Sequence, residues 1–127
     1  TWTRAELVQM LHLSDCFIWL SRCEGFGLPP LQAALTGLPV VMTTHTGMAS
    51  YYRPQFFYGV KNAGTSAAPL GGEWFEPDVE HAAEQLRKVY EGRSAALKRG
   101  KSAATYVRNN FSLEAFANRL GEYLKTL

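Results

Sequence analysis

Residues 24–41 read EGFGLPPLQAALTGLPVV, a lone carboxylate followed by two glycines and two prolines set between apolar runs. Proline has a fixed φ and no N–H, so Pro29 suits the first turn of a helix. Leu31, Ala33, Ala34 and Leu35 continue that helix, with Gln32 in its first turn, and Gly37 and Pro39 end it. Val40-Val41-Met42 then opens a buried strand. Upstream, Cys16-Phe17-Ile18-Trp19-Leu20 is continuously apolar, the pattern of a strand covered on both faces in a parallel sheet. Strand, glycine loop from Ser21 to Gly27, helix and strand form a compact βαβ unit with a right-handed crossover. The fold class is therefore α/β.

Working outward, Thr3 and Glu6 have the spacing of a capping box, and Leu7, Val8, Met10 and Leu11 follow at helical spacing. The segment from Thr43 to Glu73 is rich in Gly, Ser and Pro and reads as loop with one short strand. Within it, the cluster Tyr51, Tyr52, Phe56, Phe57 and Tyr58 is a surface for an acceptor, a partner interface, or core. Glu73-Trp74-Phe75 reads as a last strand. Pro77 and Asp78 start a helix with Val79, Ala82, Ala83, Leu86, Val89 and Tyr90 inward, closed by Gly92. Two helices follow, about Ser94 to Asn109 with a weak point at Gly100, and Ser112 to Leu124 with an apolar stripe of Leu113, Phe116, Ala117, Leu120 and Leu124.

The 127 residues form a single domain with room for a real core, and at 46% hydrophobic and 19% charged they have the composition of a globular protein. No apolar run is long enough to cross a bilayer, and TWTRAELVQM lacks the basic and apolar regions of a signal peptide. Without an initiator Met, the chain reads as a piece of something longer. A net charge of +2, with no nucleic-acid motif, argues against nucleic acid as a partner. Cys16 and Cys23 flank a strand, and seven extended residues span roughly 23 Å, beyond disulfide reach. Reduced thiols in a cytoplasmic protein follow, and two cysteines without neighbouring histidines match no zinc pattern.

In open parallel sheets ligands bind beyond the carboxyl ends of strands, where the Ser21–Leu28 loop lies. Gly25 and Gly27 let backbone approach a ligand, and the following helix aims its positive end at the same spot. Because Pro29 and Pro30 carry no N–H, the donors for an anion come from the amides of Phe26, Gly27 and Leu28. Glu24 and Gln32 suit vicinal hydroxyls, and phosphate plus hydroxyls describes a sugar nucleotide. A purely structural turn, with Glu24 capping the helix, is the competing reading.

Ser21, the run Glu24-Gly25-Phe26-Gly27-Leu28-Pro29, Ala33, Gly37 and Pro39-Val40 resemble the signature of retaining GT-B glycosyltransferases of family 4. The strand DCFIWLS, the FEPD segment and the FSLEAFANRL helix extend the resemblance over most of the chain. It implies a Rossmann-like three-layer parallel sheet with flanking helices, the truncated C-terminal half of a GT-B fold, with residues 1–127 as one partial nucleotide-sugar-binding domain. It further implies transfer of a hexose from a nucleotide-diphosphate sugar to a glycan or lipid acceptor with retention of configuration, as in polysaccharide biosynthesis. Carried over, Glu24 contacts donor-sugar hydroxyls beside the reacting carbon, the amides within Gly25–Leu28 hold sugar and diphosphate, and Gln32 takes the ribose position. The resemblance implies no cofactor and no metal.

Departures qualify this picture. The family usually has Glu where Gln32 stands, and the Gly pair and Glu that often follow the second strand are replaced by THTGMASYY, in which Gly47 keeps the turn. The Arg and Lys that resembling members direct at the diphosphate lie upstream of residue 1, so the chain alone is expected to be feeble or inactive. A degenerate, non-catalytic binding or assembly module is the alternative. Arg22 is a candidate replacement for the lost charge, and His45, just past the second strand, is a candidate contact for sugar or base. Expected partners are the donor, an upstream domain or second chain completing the site, and a second copy pairing along an open sheet edge. Seven basic residues between Arg87 and Arg108, with only Glu91 among them, offer a peripheral membrane surface or a solvated face.

Overall fold

A computed structural model describes residues 3–127. Three parallel strands, β1 (Phe17–Trp19), β2 (Val40–Thr43) and β3 (Tyr58–Val60), lie in the order β1-β2-β3. Phe17 stands opposite Val40, and Val41 opposite Tyr58. α1 (Arg4–His12) precedes β1 and is opened by the expected capping box: the Thr3 amide donates to the Glu6 carboxylate at 2.7 Å, and the Glu6 amide to Thr3 Oγ1 at 3.3 Å. α2 (Leu28–Leu35) joins β1 to β2 and ends where Gly37 takes φ +85°, a conformation that favours glycine.

Side chains alternate across a strand, and β2 uses the alternation to serve two cores. Val40 and Met42 pack with Leu31, Ala33, Ala34, Ala103 and Val107 of the helices on one face. Val41 packs with Val60, Ala82, Val89 and Ala96 on the other. The result is a three-layer, Rossmann-like α/β architecture. Among the described strands only β2 is buried throughout; β1, expected to be covered on both faces, is an edge strand and leaves Ile18 41% exposed. Cys16 and Cys23 are free thiols, and burial pushes the Cys16 thiol up to about 11.

The Thr43–Glu73 segment holds more structure than its composition indicated. A 3-10 turn (Thr46–Ser50) follows β2, then β3 joins the parallel sheet, and β4 (Asn62–Ala67) pairs antiparallel with β5 (Glu73–Pro77). This hairpin is a separate two-stranded ribbon, so Glu73-Trp74-Phe75 is a strand but not a member of the parallel sheet. The aromatic cluster resolves as core: Tyr51, Phe57 and Tyr58 are buried, Tyr58 on the opposite face, and Tyr52 and Phe56 are packed against the core that holds Tyr51 and Phe57.

α3 (Val79–Glu91) is capped by Asp78, which accepts from the His81 amide at 2.9 Å. Of the residues expected inward, Ala82 and Val89 are buried, joined by Gln85, whereas Val79 at 68%, Tyr90 at 85%, Ala83 and Leu86 are exposed. Tyr90 lies one residue past Val89, about 100° round the helix and so off the stripe. Gln85 is accepted inward because its amide meets His81 Nε2 at 2.8 Å. α4 (Arg93–Phe111) is continuous. Gly100 is not a weak point but a contact point, since a Cβ there would lie 2.2 Å from the Gly37 carbonyl oxygen. α5 (Leu113–Leu124), capped by Ser112, leaves Leu113, Phe116, Leu120 and Leu124 exposed among the described residues.

Candidate functional site

The loop between β1 and α2 is fastened through its carbonyls. Thr43 Oγ1 donates to the Ser21 carbonyl at 2.9 Å, the Phe75 amide to that of Arg22 at 3.3 Å, and Ser21 Oγ to that of Cys23 at 3.0 Å. The Gly47 amide donates to the Glu24 carbonyl at 3.0 Å, and the buried Tyr51 hydroxyl to that of Gly27 at 2.7 Å. Burial, with the Glu24 charge nearby, pushes the Tyr51 phenol up, so it stays protonated and donates. By contrast, the amides of Gly25, Phe26, Gly27 and Leu28 find no protein acceptor among the described residues. Gly27, at φ +80° and ψ +64°, is the N-cap of α2, and no side chain caps that helix. The loop thus presents four free amide donors flanked by the engaged carbonyls of Glu24 and Gly27, at the positive end of a helix.

Glu24 is half-buried and does not cap α2. Its Oε1 accepts from Trp19 Nε1 at 2.9 Å, and its amide donates to Thr46 Oγ1 at 3.1 Å. Trp19 escaped the sequence reading; the available signal was an indole N–H on an apolar strand, which requires an acceptor where the ring is packed inward. Gly47 holds the turn in a different sense from the one expected. A Cβ on it would lie 2.1 Å from the Gly25 carbonyl oxygen, so this glycine lets two backbones touch. At Gly25 a Cβ would meet nothing within 4 Å, so open space lies beside the loop.

Arg22 is committed elsewhere. Its Nε donates to Glu76 Oε2 at 3.0 Å, and its guanidinium lies 5.6 Å from the centre of the Trp74 ring. The Ser66 hydroxyl on Glu76, and then Arg22, hold the Glu76 carboxyl below its ordinary value. Together with the Phe75 amide, these contacts fasten the β4–β5 hairpin to the loop. His45, at the carboxyl end of β2, stacks on Phe75 at 4.8 Å between ring centres. Both of its ring nitrogens are buried without a hydrogen-bond partner among the described residues, and burial lowers its pKa, which keeps the ring neutral.

Gln32 lies in the second turn of α2 rather than the first, because the helix already begins at Leu28. It is exposed and lines two grooves, one against α1 and one against α4 and α5 that includes Phe26, Leu28, Phe116 and Arg119. No hydrogen bond joins it to Glu24 among the described residues. Those residues include no cluster of three or more His, Cys, Asp or Glu side chains able to hold a metal ion, and no helix long and apolar enough to cross a membrane.

The model of the family described as "Family 4 Glycosyltransferase in conflict systems" matches residues 1–120. The chain belongs to this family. It is 28% identical over 96% of its length to "Putative glycosyltransferase ORF378" of Acidianus filamentous virus 2, covering 34% of that protein. It is 30% identical over 88% of its length to a glycogen synthase of Mycobacterium tuberculosis, covering 24%. It is 25% identical over 96% of its length to the alpha-1,3/1,6-mannosyltransferase ALG2 of Mus musculus, covering 26%. The chain therefore spans between 24% and 34% of the length of these curated relatives. This family 4 domain is glycosyltransferase-like, and its layered α/β architecture is that of a partial GT-B fold.

Proposed function

We propose that this domain binds the donor of a retaining glycosyltransferase, a nucleotide-diphosphate sugar whose hexose passes to a glycan or lipid acceptor. The observation that carries the reading is the polarity of the Glu24–Leu28 loop: the Glu24 and Gly27 carbonyls engaged, the amides from Gly25 to Leu28 open, and an uncapped helix start beside a half-buried carboxylate. Such donors suit the diphosphate both when bound and when it departs with extra charge. Glu24, with one carboxylate oxygen held by Trp19, offers the other to sugar hydroxyls. Gln32 stands for the ribose contact and His45 for a contact at the neighbouring carboxyl end of β2. Catalysis needs a cation for the leaving group and cover from water, which an upstream domain or a second chain would supply; the exposed stripe of α5 is one surface such a partner could bury. No cofactor or metal enters the scheme, and the setting is cytoplasmic, at most peripheral to a membrane.

A second reading, a binding or assembly module without turnover, gains from the commitment of Arg22 to Glu76, which removes the one loop cation from the diphosphate. A thermal-shift panel of UDP-, GDP- and ADP-sugars separates the two. At least one donor is expected to raise the melting temperature, and Glu24→Ala is expected to lose the increment due to the sugar while still responding to the matching nucleoside diphosphate. No response to any donor would favour the assembly module. Within the donor reading, Gln32→Glu restores a charge-assisted bond to the ribose, and calorimetry should show nucleotide affinity rising about fivefold, equivalent to roughly 1 kcal/mol. Unchanged or weaker affinity would place Gln32 away from the ribose.

A further inference from the structure

We infer that Trp19 is a positioning residue for Glu24, fixing which carboxylate oxygen faces the donor sugar. The inference rests on the donor-site reading of Glu24. An indole has one N–H and no acceptor, so a half-buried Trp19 needs one partner, and Glu24 Oε1 at 2.9 Å supplies it. Trp19 is itself held, its ring lying nearly parallel to Phe17 at 5.9 Å and packed against the core. The donor therefore sits on the sheet rather than on a mobile loop, the arrangement that holds a functional group in place most closely.

The backbone of Glu24 is fixed independently. Its amide donates to Thr46 Oγ1 at 3.1 Å and its carbonyl accepts from Gly47 at 3.0 Å. Thr46 has φ +54°, an unfavourable conformation for a β-branched residue, and its hydroxyl also donates to the His45 carbonyl at 2.8 Å. Three atoms of Glu24 are thus held by groups from two strand ends. Oε2 finds no protein partner among the described residues and is the oxygen left for a ligand. The two backbone contacts already tie the loop to the turn after β2, so what the Trp19 bond adds is the orientation of the carboxylate.

The test uses the 127-residue chain and whichever UDP-, GDP- or ADP-sugar binds it. Trp19→Phe keeps an aromatic ring on Phe17 and removes the N–H. Its affinity for the nucleotide sugar is expected to fall about tenfold, while its affinity for the matching nucleoside diphosphate is kept, since only the sugar is oriented by Oε2. Equal loss for both ligands would make Trp19 a support of the loop and overturn the inference. A second measurement needs neither ligand nor a Trp19 variant: the Trp19 indole N–H resonance in a proton–nitrogen correlation spectrum is expected to move in Glu24→Ala. An unmoved resonance would overturn the pairing while leaving the donor-site reading intact. Failure of all three donors to bind, or a Glu24→Ala chain that retains the sugar increment, would remove the donor-site role of Glu24 and this inference with it.

Discussion

Gly100→Ala is expected to destabilise the domain by about 2–3 kcal/mol, although alanine is the better helix former by about 1 kcal/mol. The sign is decided by position. The added Cβ would lie 2.2 Å from the Gly37 oxygen and 2.8 Å from the Leu38 carbonyl carbon, and both are backbone atoms. Neither can swing aside as a side chain would. Gly37 is fixed at φ +85° at the end of α2, and Leu38 leads into β2, so relief requires moving α4 away from the sheet. The core contacts of Ala103 and Val107 would loosen with it. At roughly 4 °C per kcal/mol for a domain of this size, the melting temperature should drop by about 10 °C. A variant that melts at or above the parent would show that α4 yields freely at this contact.

Gly47→Ala carries the second large effect, and here stability and ligand binding should fall together. The new Cβ would lie 2.1 Å from the Gly25 oxygen and 2.8 Å from Phe26 Cα. The Glu24–Gly27 backbone must then move outward, losing the bond from the Gly47 amide to the Glu24 carbonyl and disturbing that of Tyr51 to Gly27. A loss of about 2–3 kcal/mol is expected, with the nucleotide-sugar response abolished in the same thermal-shift panel. Gly25→Ala is the matched control. Its Cβ would meet nothing within 4 Å, so melting should stay within about 0.5 kcal/mol of the parent, and any loss of donor binding would report the ligand's own volume. A Gly47→Ala chain that melts normally and still responds to donor would show that the two backbones need not touch.

What could be read from residues alone divides along a physical line. Features set by neighbours in sequence were legible: the Thr3–Glu6 box, the starts of α3 at Asp78 and of α5 at Ser112, Gly37 closing α2, and the βαβ unit written in its apolar runs. Features set by contacts distant in sequence were not. Asn62–Ala67 has no large apolar side chain, and its extended state comes from pairing with Glu73–Pro77, which composition does not disclose. Val79 and Tyr90 carry apolar side chains at the margin of α3, and only the packed sheet determines which flank turns inward. At the site, the EGFG run was visible as a chemical pattern, whereas the roles of Trp19, Thr46 and Gly47 depend on the atoms each meets. Gly47 and Gly100 looked like a turn glycine and a helix flaw. Both are clearances for a facing peptide group.

The docking of the β4–β5 ribbon has a dynamic consequence. A lone two-stranded ribbon has little order of its own in water. Here it is anchored by Arg22 on Glu76 and Trp74, by the Phe75 amide on the Arg22 carbonyl, and by the stack of Phe75 on His45. Ribbon and Glu24 loop are therefore expected to fluctuate together. Were the ribbon to peel away, Arg22 would be released and the loop would lose its outer wall, and a ligand that quiets the loop is expected to slow hydrogen exchange along Asn62–Pro77.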